Sequence, residues 1–394
     1  MDFRALLSNP QPVDLFAKRI TKAGARENER GDFVLYWMQS ARRRSRNLAL
    51  NYARSFGLPV VVYESPYPAP TERIRKFAGQ GDRDIPPLAN ARLVVTDEFP
   101  TGVMREQTKR LIATSPVAVH LVDGNGIFPM RAFDKEQYSA KVLRDRARRM
   151  IEEYWSPIVE ELAPAESARR IEALQRLRAT TGRNSGLSPY LHFGFIGIHE
   201  VVEHVVHSSM SDEEANGFLE QAIIRRELSF NLCFYRDDYD SLSALPDWAK
   251  RTIDAHRTDR RSPRYTPDEL ERAATHDDVW NLAQRQLLSC GTMHGYLRML
   301  WGKKIIEWSE TPEEAQATMV RLFDKYSLDG RDPNTYAGVL WCFGKHDRPW
   351  FPERPIFGTV RYMSSDSTRR KVRLADVERD VTACEASARI PEAS

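Results

Sequence analysis

The stretch Asp278–Trp308, DVWNLAQRQLLSCGTMHGYLRMLWGKKIIEW, decides the fold class of the larger part of this chain. From Ala283 onward its apolar residues recur every three or four positions, which is the period of one face of an α-helix. Almost no segment in this half of the chain alternates apolar and polar residues with the period of two that indicates a half-buried strand. The stretch therefore predicts a helix over Ala283–Trp308 within an all-α domain.

Other segments of the same half also predict helices. Charged amphipathic patterns cover Val142–Leu162 and Pro164–Arg178, and apolar residues at helical spacing cover Asp212–Cys233 and Pro312–Tyr326. The last twenty residues are small, charged and unpatterned, which predicts a mobile tail.

The first third of the chain predicts a different architecture. A helical pattern covers Ala41–Phe56, and no G-x-G-x-x-G fingerprint follows the first apolar run, so a nicotinamide-dinucleotide site is not predicted. Short apolar runs of strand length that alternate with helical segments indicate a parallel, doubly wound sheet. These runs are Phe33–Met38, Val60–Tyr63, Ala91–Thr96 and Val117–Val122.

Together these patterns predict an α/β fold, with an N-terminal Rossmann-like parallel-sheet domain followed by a large all-α domain. We expect the first domain over residues 1–125 and a connection over residues 126–180. The helical domain is expected over residues 181–372, and a flexible C-terminal tail over residues 373–394.

Composition adds limits on the class of protein. No window of the 394 residues approaches eighteen uninterrupted apolar positions, so no membrane span is predicted. The net charge of +3 arises from 58 basic and 55 acidic side chains. Arginine runs are usually solvated faces, but several of them together near aromatic residues favour a surface that follows phosphates. The runs are Arg42–Arg44, Arg260–Arg264 and Arg369–Arg373.

The cysteines indicate a reducing compartment. They are scattered and have no C-x-x-C spacing, so we interpret them as buried or free thiols and not as a disulfide framework or a zinc site. They are Cys233, Cys290, Cys342 and Cys384.

Two segments of the helical half carry polar groups that helix packing does not require. Thr181–Gly194, TGRNSGLSPYLHFG, groups glycine, asparagine and serine ahead of a helix start, which suits phosphate oxygens, although a plain capped turn has the same composition. Arg225–Tyr235, RRELSFNLCFY, surrounds Glu227 with aromatic residues. That carboxylate is either paired with a neighbouring arginine or held for hydrogen bonding to a ligand.

Two more segments combine aromatic and polar residues. Within Asp278–Trp308, simple packing accounts for the large tryptophans, but polar residues on the same buried helices favour an enclosed, planar, polar ligand. Asp324–Trp350, DKYSLDGRDPNTYAGVLWCFGKHDRPW, interleaves cations with rings, as grooves that bind nucleic acids do.

These motifs occur in an order that resembles one enzyme family. LSPYLHFG, RRELxxNxCFY, WNxAQ, MHGYLRMLWGKKIIEW, LDGRDPN and RYM, between about Leu187 and Met363, resemble the class II DNA photolyases of the photolyase–cryptochrome superfamily. The resemblance implies that the helical domain holds FAD in a folded, U-shaped conformation. It also implies a light-driven reaction in which excited, reduced flavin gives an electron to a cyclobutane pyrimidine dimer flipped out of UV-damaged DNA, and the electron then returns.

The resemblance further implies roles for individual residues. The catalytic positions are Glu227, which would hydrogen-bond the dimer, Met299 and Trp341, which would line the lesion pocket, and the electron-transfer tryptophans Trp280, Trp301 and Trp308, whose order the sequence leaves open. The phosphate-binding loop of the cofactor site corresponds to Ser185, Gly186, Leu187 and Ser188. Its other contacts are Asn281, Gln284, Phe323, Arg331, Asn334 and the ion pair of Arg298 with Asp329. The DNA phosphates would meet Lys345, Arg348, Arg354, Arg361, Arg369 and Arg370.

The chain departs from the family pattern at three places. Phe323 stands where the family usually has an asparagine that faces the reactive ring nitrogen of the flavin, and a phenylalanine cannot hydrogen-bond there. The α/β domain is shortened between Tyr63 and Leu93, so an antenna chromophore, a deazaflavin or a folate, is less expected than in the family. The lesion-side loop WCFGKHDRPW is about one residue tighter than usual.

Four functions remain open at the level of the sequence. Repair of cyclobutane pyrimidine dimers is favoured over a cryptochrome-like photoreceptor, because the chain after Met363 is short and Glu227, Met299 and Trp341 are retained. A photolyase relative that acts on another lesion, or performs another flavin reaction, is supported by Phe323 and the altered loop. A DNA-binding helical protein without flavin leaves the ordered motifs unexplained. A monomer in a bacterial or archaeal cytoplasm, with the nucleoid, is expected.

Overall fold

The structure, a computed structural model, describes residues 2–82, 84–158, 167–180 and 185–389. The chain forms two compact units. Unit 1 comprises Met1–Ala69 and Arg75–Tyr235, and unit 2 comprises Pro70–Ile74 and Arg236–Ser394. The main change between units therefore falls after Tyr235, within the helical half, and the domain bounds expected at residues 125 and 180 stay predictions.

Unit 1 contains a five-stranded sheet of order β1-β5-β4-β2-β3. Parallel pairing joins β2, β3, β4 and β5, whereas β1 lies antiparallel to β5 at the edge. Central residues of β2 and β4 are fully buried, as expected for a parallel sheet covered on both faces. The strands are β1 (Ile20–Gly24), β2 (Phe33–Met38), β3 (Val60–Glu64), β4 (Ala91–Asp97) and β5 (Ala118–Val122). The predicted α/β class and its four apolar strands are confirmed, while β1, ITKAG, has too little apolar pattern to be predicted.

Helices complete unit 1. One of them, α3, begins in the short segment that belongs to unit 2. The helices up to Tyr235 are α1 (Phe3–Leu7), α2 (Leu48–Arg54), α3 (Glu72–Ala78), α4 (Gly102–Thr114), α5 (Ala140–Tyr154), α6 (Ala168–Arg178), α7 (Ser188–His192), α8 (Ile198–Val206), α9 (Asp212–Leu219) and α10 (Arg226–Tyr235).

The segment before α2 corrects two expectations. The helix predicted from Ala41 begins only at Leu48, because two arginines of the preceding loop are buried and hold that loop in place. Arg42 donates to the carbonyls of Ala78 (2.8 Å) and Ser65 (2.5 Å), and Arg43 donates to the carbonyl of Gly194 (2.9 Å). Arg42 and Arg43 are therefore structural residues of unit 1 and not part of a solvated or DNA-facing run.

Unit 2 is helical, with one isolated β-bridge between Arg354 and Gly358 among its described residues. Its helices are α11 (Asp247–Ala255), α12 (Pro267–Glu271), α13 (Asp278–Cys290), α14 (Gly295–Trp308), α15 (Pro312–Tyr326), α16 (Pro333–Cys342), α17 (Ser365–Arg369) and α18 (Leu374–Arg389). The α15 prediction matches both ends of the observed helix. None of the helices in the described parts of the chain is long and apolar enough to cross a membrane.

The single helix predicted over Ala283–Trp308 is two helices, separated at Gly291. This residue has a φ of +69°, and a Cβ atom there would lie 2.9 Å from Cγ of Leu328. Both observations require glycine, because other residues rarely adopt this conformation and the neighbouring leucine fills the space. The turn therefore ends α13 and lets α14 begin in a new direction.

The C-terminal segment differs most from the prediction. Instead of a flexible tail, residues 374–389 form α18, which packs on α13 and buries Val377 and Val381. A disulfide bond joins Cys290 to Cys384, while Cys233 and Cys342 are free and buried. The tail prediction is wrong for α18, and the free-thiol interpretation is wrong for the bonded pair. Residues 390–394 lie outside the described residues.

Candidate functional site

In unit 2 the structure brings together the predicted ion pair. Nη2 of Arg298 lies 3.9 Å from Oδ2 of Asp329, whose side chain is almost completely buried. The hydroxyl of Ser327 donates to Oδ1 of Asp329 at 2.5 Å. Helix α14 thus supplies the cation, and the turn after α15 supplies a carboxylate held in a fixed orientation.

Next to this ion pair is a small cavity between α14, α15 and α16. The buried Nε atom of Arg298 has no hydrogen-bond partner within the described residues. A Cβ atom added to Gly338 would meet nothing within 4 Å, so the glycine leaves one wall open. An unused donor beside open space suits the polar edge of a flat ligand. The cavity is lined by Arg298, Trp301, Met319, Phe323, Thr335, Gly338, Val339 and Cys342.

Phe323 forms the aromatic wall of this cavity. Its ring centroid lies 5.0 Å from Cζ of Arg298 and 4.9 Å from the ring of Trp301, which it meets nearly edge-on. The first contact is a cation–π interaction and the second is a favoured aromatic geometry. Phe323 therefore offers the cavity an apolar face and no hydrogen bond.

The three predicted tryptophans form a contiguous chain, and the structure gives their order. Nε1 of Trp280 donates to the carbonyl of Trp301 at 3.0 Å, and the rings of Trp280 and Trp308 lie 5.5 Å apart. All three are buried, and only Trp301 of the three lines the cavity. The order from the cavity outward is Trp301, Trp280, Trp308, which we call the tryptophan chain.

Beyond Trp308 lie two residues that the sequence analysis missed. The ring of Tyr265 lies 5.3 Å from that of Trp308, and its hydroxyl is 2.6 Å from Nδ1 of His276. Tyr265 is half-buried and His276 is exposed, so the aromatic contacts continue to the surface of unit 2. Neither residue stands in a recognisable motif, and only the fold brings them to Trp308.

Two predicted cofactor contacts have other partners. Oδ1 of Asn281 accepts hydrogen bonds from the amide and hydroxyl of Thr275, and Nδ2 donates back to its carbonyl. Gln284 is fully buried, accepts from Nε1 of Trp301 at 2.8 Å and donates to the carbonyl of Glu271. Their amides thus fix a loop and Trp301, and their contacts with a cofactor stay predictions.

The remaining predicted residues of this region lie around the start of α16 and on α14. Asn334 donates its backbone and side-chain N–H groups to Oδ1 of Asp332, which caps α16. The amide of Arg331 donates to Oδ1 of Asp324. Met299 and Trp341 are half-buried. The predicted contacts of Asn334 and Arg331 with the cofactor stay predictions. So do the predicted contacts of Met299 and Trp341 with the lesion.

In unit 1, Glu227 is buried behind the loop that follows β5. A π-helical turn over Glu220–Arg225 leads into α10 and sets the register of this residue. Glu227 is 3% exposed, and its Oε1 accepts a hydrogen bond from the amide of Phe128 at 3.2 Å. Burial raises the pKa of Glu227 to about 8, so the carboxyl is mostly protonated at neutral pH.

Neighbouring groups close this carboxyl off from solvent. A Cβ atom at Gly126 would lie 2.4 Å from the Glu227 oxygens, so any larger residue there would force the carboxyl to move. Arg19 donates to the carbonyls of Asp123, Gly126 and Ile127 and thereby fixes the loop. The role of Glu227 in binding a dimer stays a prediction.

The predicted phosphate-binding loop also lies in unit 1, and residues 181–184 of its motif lie outside the described residues. Leu187 is buried in the core, so its side chain is not available to a ligand. Gly186 has a φ of +66°, and Nη1 of Arg176 lies 3.2 Å from the position of an added Cβ. Arg176, on α6, is a cation beside the loop that the sequence analysis missed.

A basic and aromatic surface lies on unit 2 between α16 and α17. The guanidinium groups of Arg348 and Arg361 lie 4.7 and 4.8 Å from the ring of Trp350, and that of Arg354 lies 5.1 Å from the ring of Tyr362. We call this the arginine–aromatic surface. It consists of Arg348, Trp350, Phe351, Arg354, Arg361 and Tyr362, and Phe351 is 77% exposed.

This surface is held rigidly from beneath. Oδ2 of Asp259 accepts from the amide of Ile356 at 2.7 Å, and Oγ1 of Thr252 accepts from the amide of Thr359 at 2.9 Å. The amide of Trp350 donates to the carbonyl of Thr359. The exposed cations and rings are thus presented by a hydrogen-bonded loop, and Arg348, Arg354 and Arg361 remain good candidates for phosphate contacts.

Two other predicted phosphate contacts, Lys345 and Arg369, already have partners within the protein. Lys345 is 6% exposed and donates to the carbonyl of Ala244 at 2.5 Å, so it is a buried structural residue. Arg369 pairs with Asp278, whose hydrogen bond raises the pKa of the guanidinium. This burial argues against the predicted phosphate contact of Lys345, which stays a prediction. Arg369 is already engaged with a carboxylate, and Arg370 is exposed.

Comparison with known proteins identifies relatives along nearly the whole chain. The chain is 34% identical to a deoxyribodipyrimidine photo-lyase of Methanothermobacter thermautotrophicus, over 91% of this chain and 97% of that protein. It is 33% identical to a deoxyribodipyrimidine photo-lyase of Oryza sativa subsp. japonica, over 86% of each. Its fold is similar to the crystal structure of a bacterial class III photolyase from Agrobacterium tumefaciens, with a TM-score of 0.64, 16% identity and coverage of 93% and 91%. No protein-family model matches the chain.

Proposed function

The chain belongs to the deoxyribodipyrimidine photo-lyase family, and from this premise we propose that it splits cyclobutane pyrimidine dimers in DNA with light absorbed by bound FAD. Membership confirms the predicted family, fold class and enzyme class, a lyase. The cofactor, its contacts and the residues that meet DNA belong to the proposal.

The cavity beside Arg298 offers a polar contact and open space to one edge of the ring system of FAD. The unpartnered Nε atom of Arg298 is a donor for a ring nitrogen or oxygen, and the open wall at Gly338 admits a flat edge. Asp329 would hold the guanidinium in place through its 3.9 Å contact. When bound, reduced FAD excited by blue light supplies the electron that opens the cyclobutane ring and recovers it afterwards.

Phe323 and Trp301 would exclude water from this site. Both side chains are buried and pack edge to face, so the wall they form offers no hydrogen bond to solvent. A dry wall strengthens the electrostatic effect of the nearby guanidinium, because charges interact more strongly at low local dielectric constant. Arg298 would then be the main charged group acting on the ring edge from unit 2.

The single observation that carries the proposal is the tryptophan chain that begins at this cavity. Trp301, Trp280 and Trp308 contact one another in sequence, and Trp308 meets Tyr265 towards the surface. Ordinary packing does not require a line of large, oxidisable rings that leads from a cavity to the surface. The chain would carry an electron inward to restore the reduced cofactor.

The arginine–aromatic surface supports binding of the DNA substrate. Its exposed guanidinium groups would contact phosphates, and its rings would stack on bases unpaired around a flipped dimer. The weakened pairing at a dimer lowers the cost of flipping it. Binding of this kind depends strongly on salt concentration.

One assay on purified protein tests the proposal. The visible spectrum is recorded, the protein is chemically reduced and mixed with a thymine-dimer oligonucleotide, and restored thymines are counted after blue light, with a dark sample as control. We expect flavin absorption and light-dependent repair. Flavin without repair of this dimer would contradict the proposal and favour a photoreceptor or another lesion. Absence of flavin after reconstitution with FAD would remove its basis.

A further inference from the structure

We propose that the Cys290–Cys384 pair is a reversible thiol–disulfide modification site, with a dithiol as its reductant, that fixes α18 on α13 and slows loss of the cofactor. The bond joins the last residue of α13 to the last turns of α18, with a Cα–Cα distance of 5.4 Å. It closes a loop with a sequence separation of 94. Only the link to the cofactor rests on the proposed function.

The crosslink adds to a contact that the helices already make. Arg285 on α13 pairs with Glu378 and Glu385 on α18 at 3.1 Å each, and the hydroxyl of Ser289 donates to Glu385. These charged groups are partly exposed, so each pair contributes little by itself. Docking of α18 without the disulfide would therefore depend on two buried valines and weak ion pairs, which allows it to open locally.

The crosslinked end of α13 supports the turn that carries Asp329. Gly291 follows Cys290 directly, and its carbonyl accepts the amide of Leu328 at 2.8 Å. The preceding residue, Ser327, donates its hydroxyl to Asp329. A displacement of Cys290 would therefore shift the Asp329 carboxylate, because one backbone hydrogen bond and one turn connect them. The ion pair of Asp329 with Arg298 would then change as well.

Both sulfur atoms belong to half-buried residues, so a reductant can reach the bond. A dithiol attacks one sulfur and forms a mixed disulfide, and its second thiol then releases the protein. The S–S bond breaks, two S–H bonds form, and the dithiol becomes a cyclic disulfide, so two electrons and two protons pass to the protein. Glutathione disulfide would reverse the reaction, with two molecules of glutathione formed for each bond restored.

The first test counts thiols and follows the exchange of α18 amides with deuterium in the full-length protein. The chain has four cysteines, and we expect two reactive thiols in the unfolded oxidised protein and four after dithiothreitol. Reduction should speed amide exchange in α18 by about tenfold or more, because local opening no longer works against a covalent bond. Four thiols before reduction, or equal exchange in both forms, would overturn the proposal.

The second test measures release of FAD after dilution from oxidised and reduced protein. We expect faster release from the reduced form and recovery after treatment with glutathione disulfide. Cys384→Ser, with Cys290→Ser as a second variant, should behave as the reduced form in both conditions, whereas Cys233→Ser should respond like the wild type. Equal release from both forms would overturn the cofactor link. Protein that binds no FAD would refute the proposed function and leave the thiol test unaffected.

Discussion

The guanidinium carbon of Arg298 lies 5.0 Å from the centroid of the Phe323 ring, so the cation of the candidate cofactor site rests on an aromatic side chain. The same ring contacts Trp301, the first member of the tryptophan chain. Phe323 thus links the two parts of the site, although it stands where the family usually has an asparagine. Its first role is physical: it positions Arg298 and Trp301 and keeps their surroundings apolar.

Replacing Phe323 with leucine tests this packing role. We expect the free energy of unfolding of the apoprotein to fall by about 1–3 kcal/mol, from lost ring volume and the lost cation–π contact. Urea unfolding measures the change. A double-mutant cycle with Arg298→Gln should give a coupling energy of about 0.5–1 kcal/mol, and full additivity would mean that the ring and the guanidinium do not interact.

Much of this fold was predictable where a local pattern dominates. The four predicted strands follow from short apolar runs and α15 follows from helical spacing, and tertiary contacts reinforce both patterns. Other features depend on contacts that no local pattern reveals. Arg42 is buried by carbonyls of residues 65 and 78, and α18 is stabilised by its disulfide and its contact with α13.

The residues of the candidate site also fall into those that a sequence motif predicted and those that only the fold brings together. Motif order indicated Arg298 with Asp329 and the three tryptophans, and the structure brings the pair together and orders the rings. Sequence reasoning could not find Tyr265 beside Trp308 in unit 2, or Arg176 beside Gly186 in unit 1, because neither residue lies in a motif and only the fold brings each to its neighbour. It also assigned Gln284 to the cofactor; the structure shows its amide bonded to Trp301 and Glu271, and the cofactor contact stays a prediction.

The position of Trp280 in the middle of the tryptophan chain makes it the critical ring. Trp280→Phe should slow photoreduction of oxidised flavin by about tenfold or more, equivalent to an added barrier of about 1.4 kcal/mol or more. Repair by flavin reduced chemically in advance should remain, because that step does not need the chain. Transient absorption and the repair assay measure the two effects. Trp155→Phe, a buried tryptophan outside the chain, is the control, and unchanged photoreduction in Trp280→Phe would refute the assigned order.

Because of Glu227, the free energy of unfolding should fall as pH rises. Its pKa is about 8 in the folded protein, raised by burial, whereas an unfolded glutamate has the ordinary value of 4.5. Between these values the folded state holds a proton that the unfolded state has lost, so stability falls as pH rises from about 4.5 to about 8 and levels off above. Glu227→Gln, which stays neutral, should remove on the order of 2–4 kcal/mol of this pH dependence.

Chemical denaturation at a series of pH values measures this effect. Glu213→Gln, an exposed position in the first turn of α9, is the matched control and should keep the wild-type profile. The same Glu227→Gln protein should retain FAD and lose most of its repair yield if the carboxyl also donates a hydrogen bond to the dimer. A normal pH profile with normal repair would contradict both roles.

The arginine–aromatic surface predicts a salt dependence that separates surface cations from buried ones. Arg348→Ala and Arg361→Ala should each weaken binding to dimer-containing DNA and reduce the slope of log affinity against log salt by about 0.9, because each removes one phosphate contact.

Lys345→Gln should leave this slope unchanged. It should instead lower the free energy of unfolding by about 1–3 kcal/mol, since the Ala244 carbonyl loses a charged donor in the interior. Fluorescence anisotropy at several salt concentrations and urea unfolding distinguish the two behaviours. A reduced slope in Lys345→Gln would mean that this ammonium reaches DNA despite its burial, and an unchanged slope in both arginine variants would place the DNA on another face of unit 2.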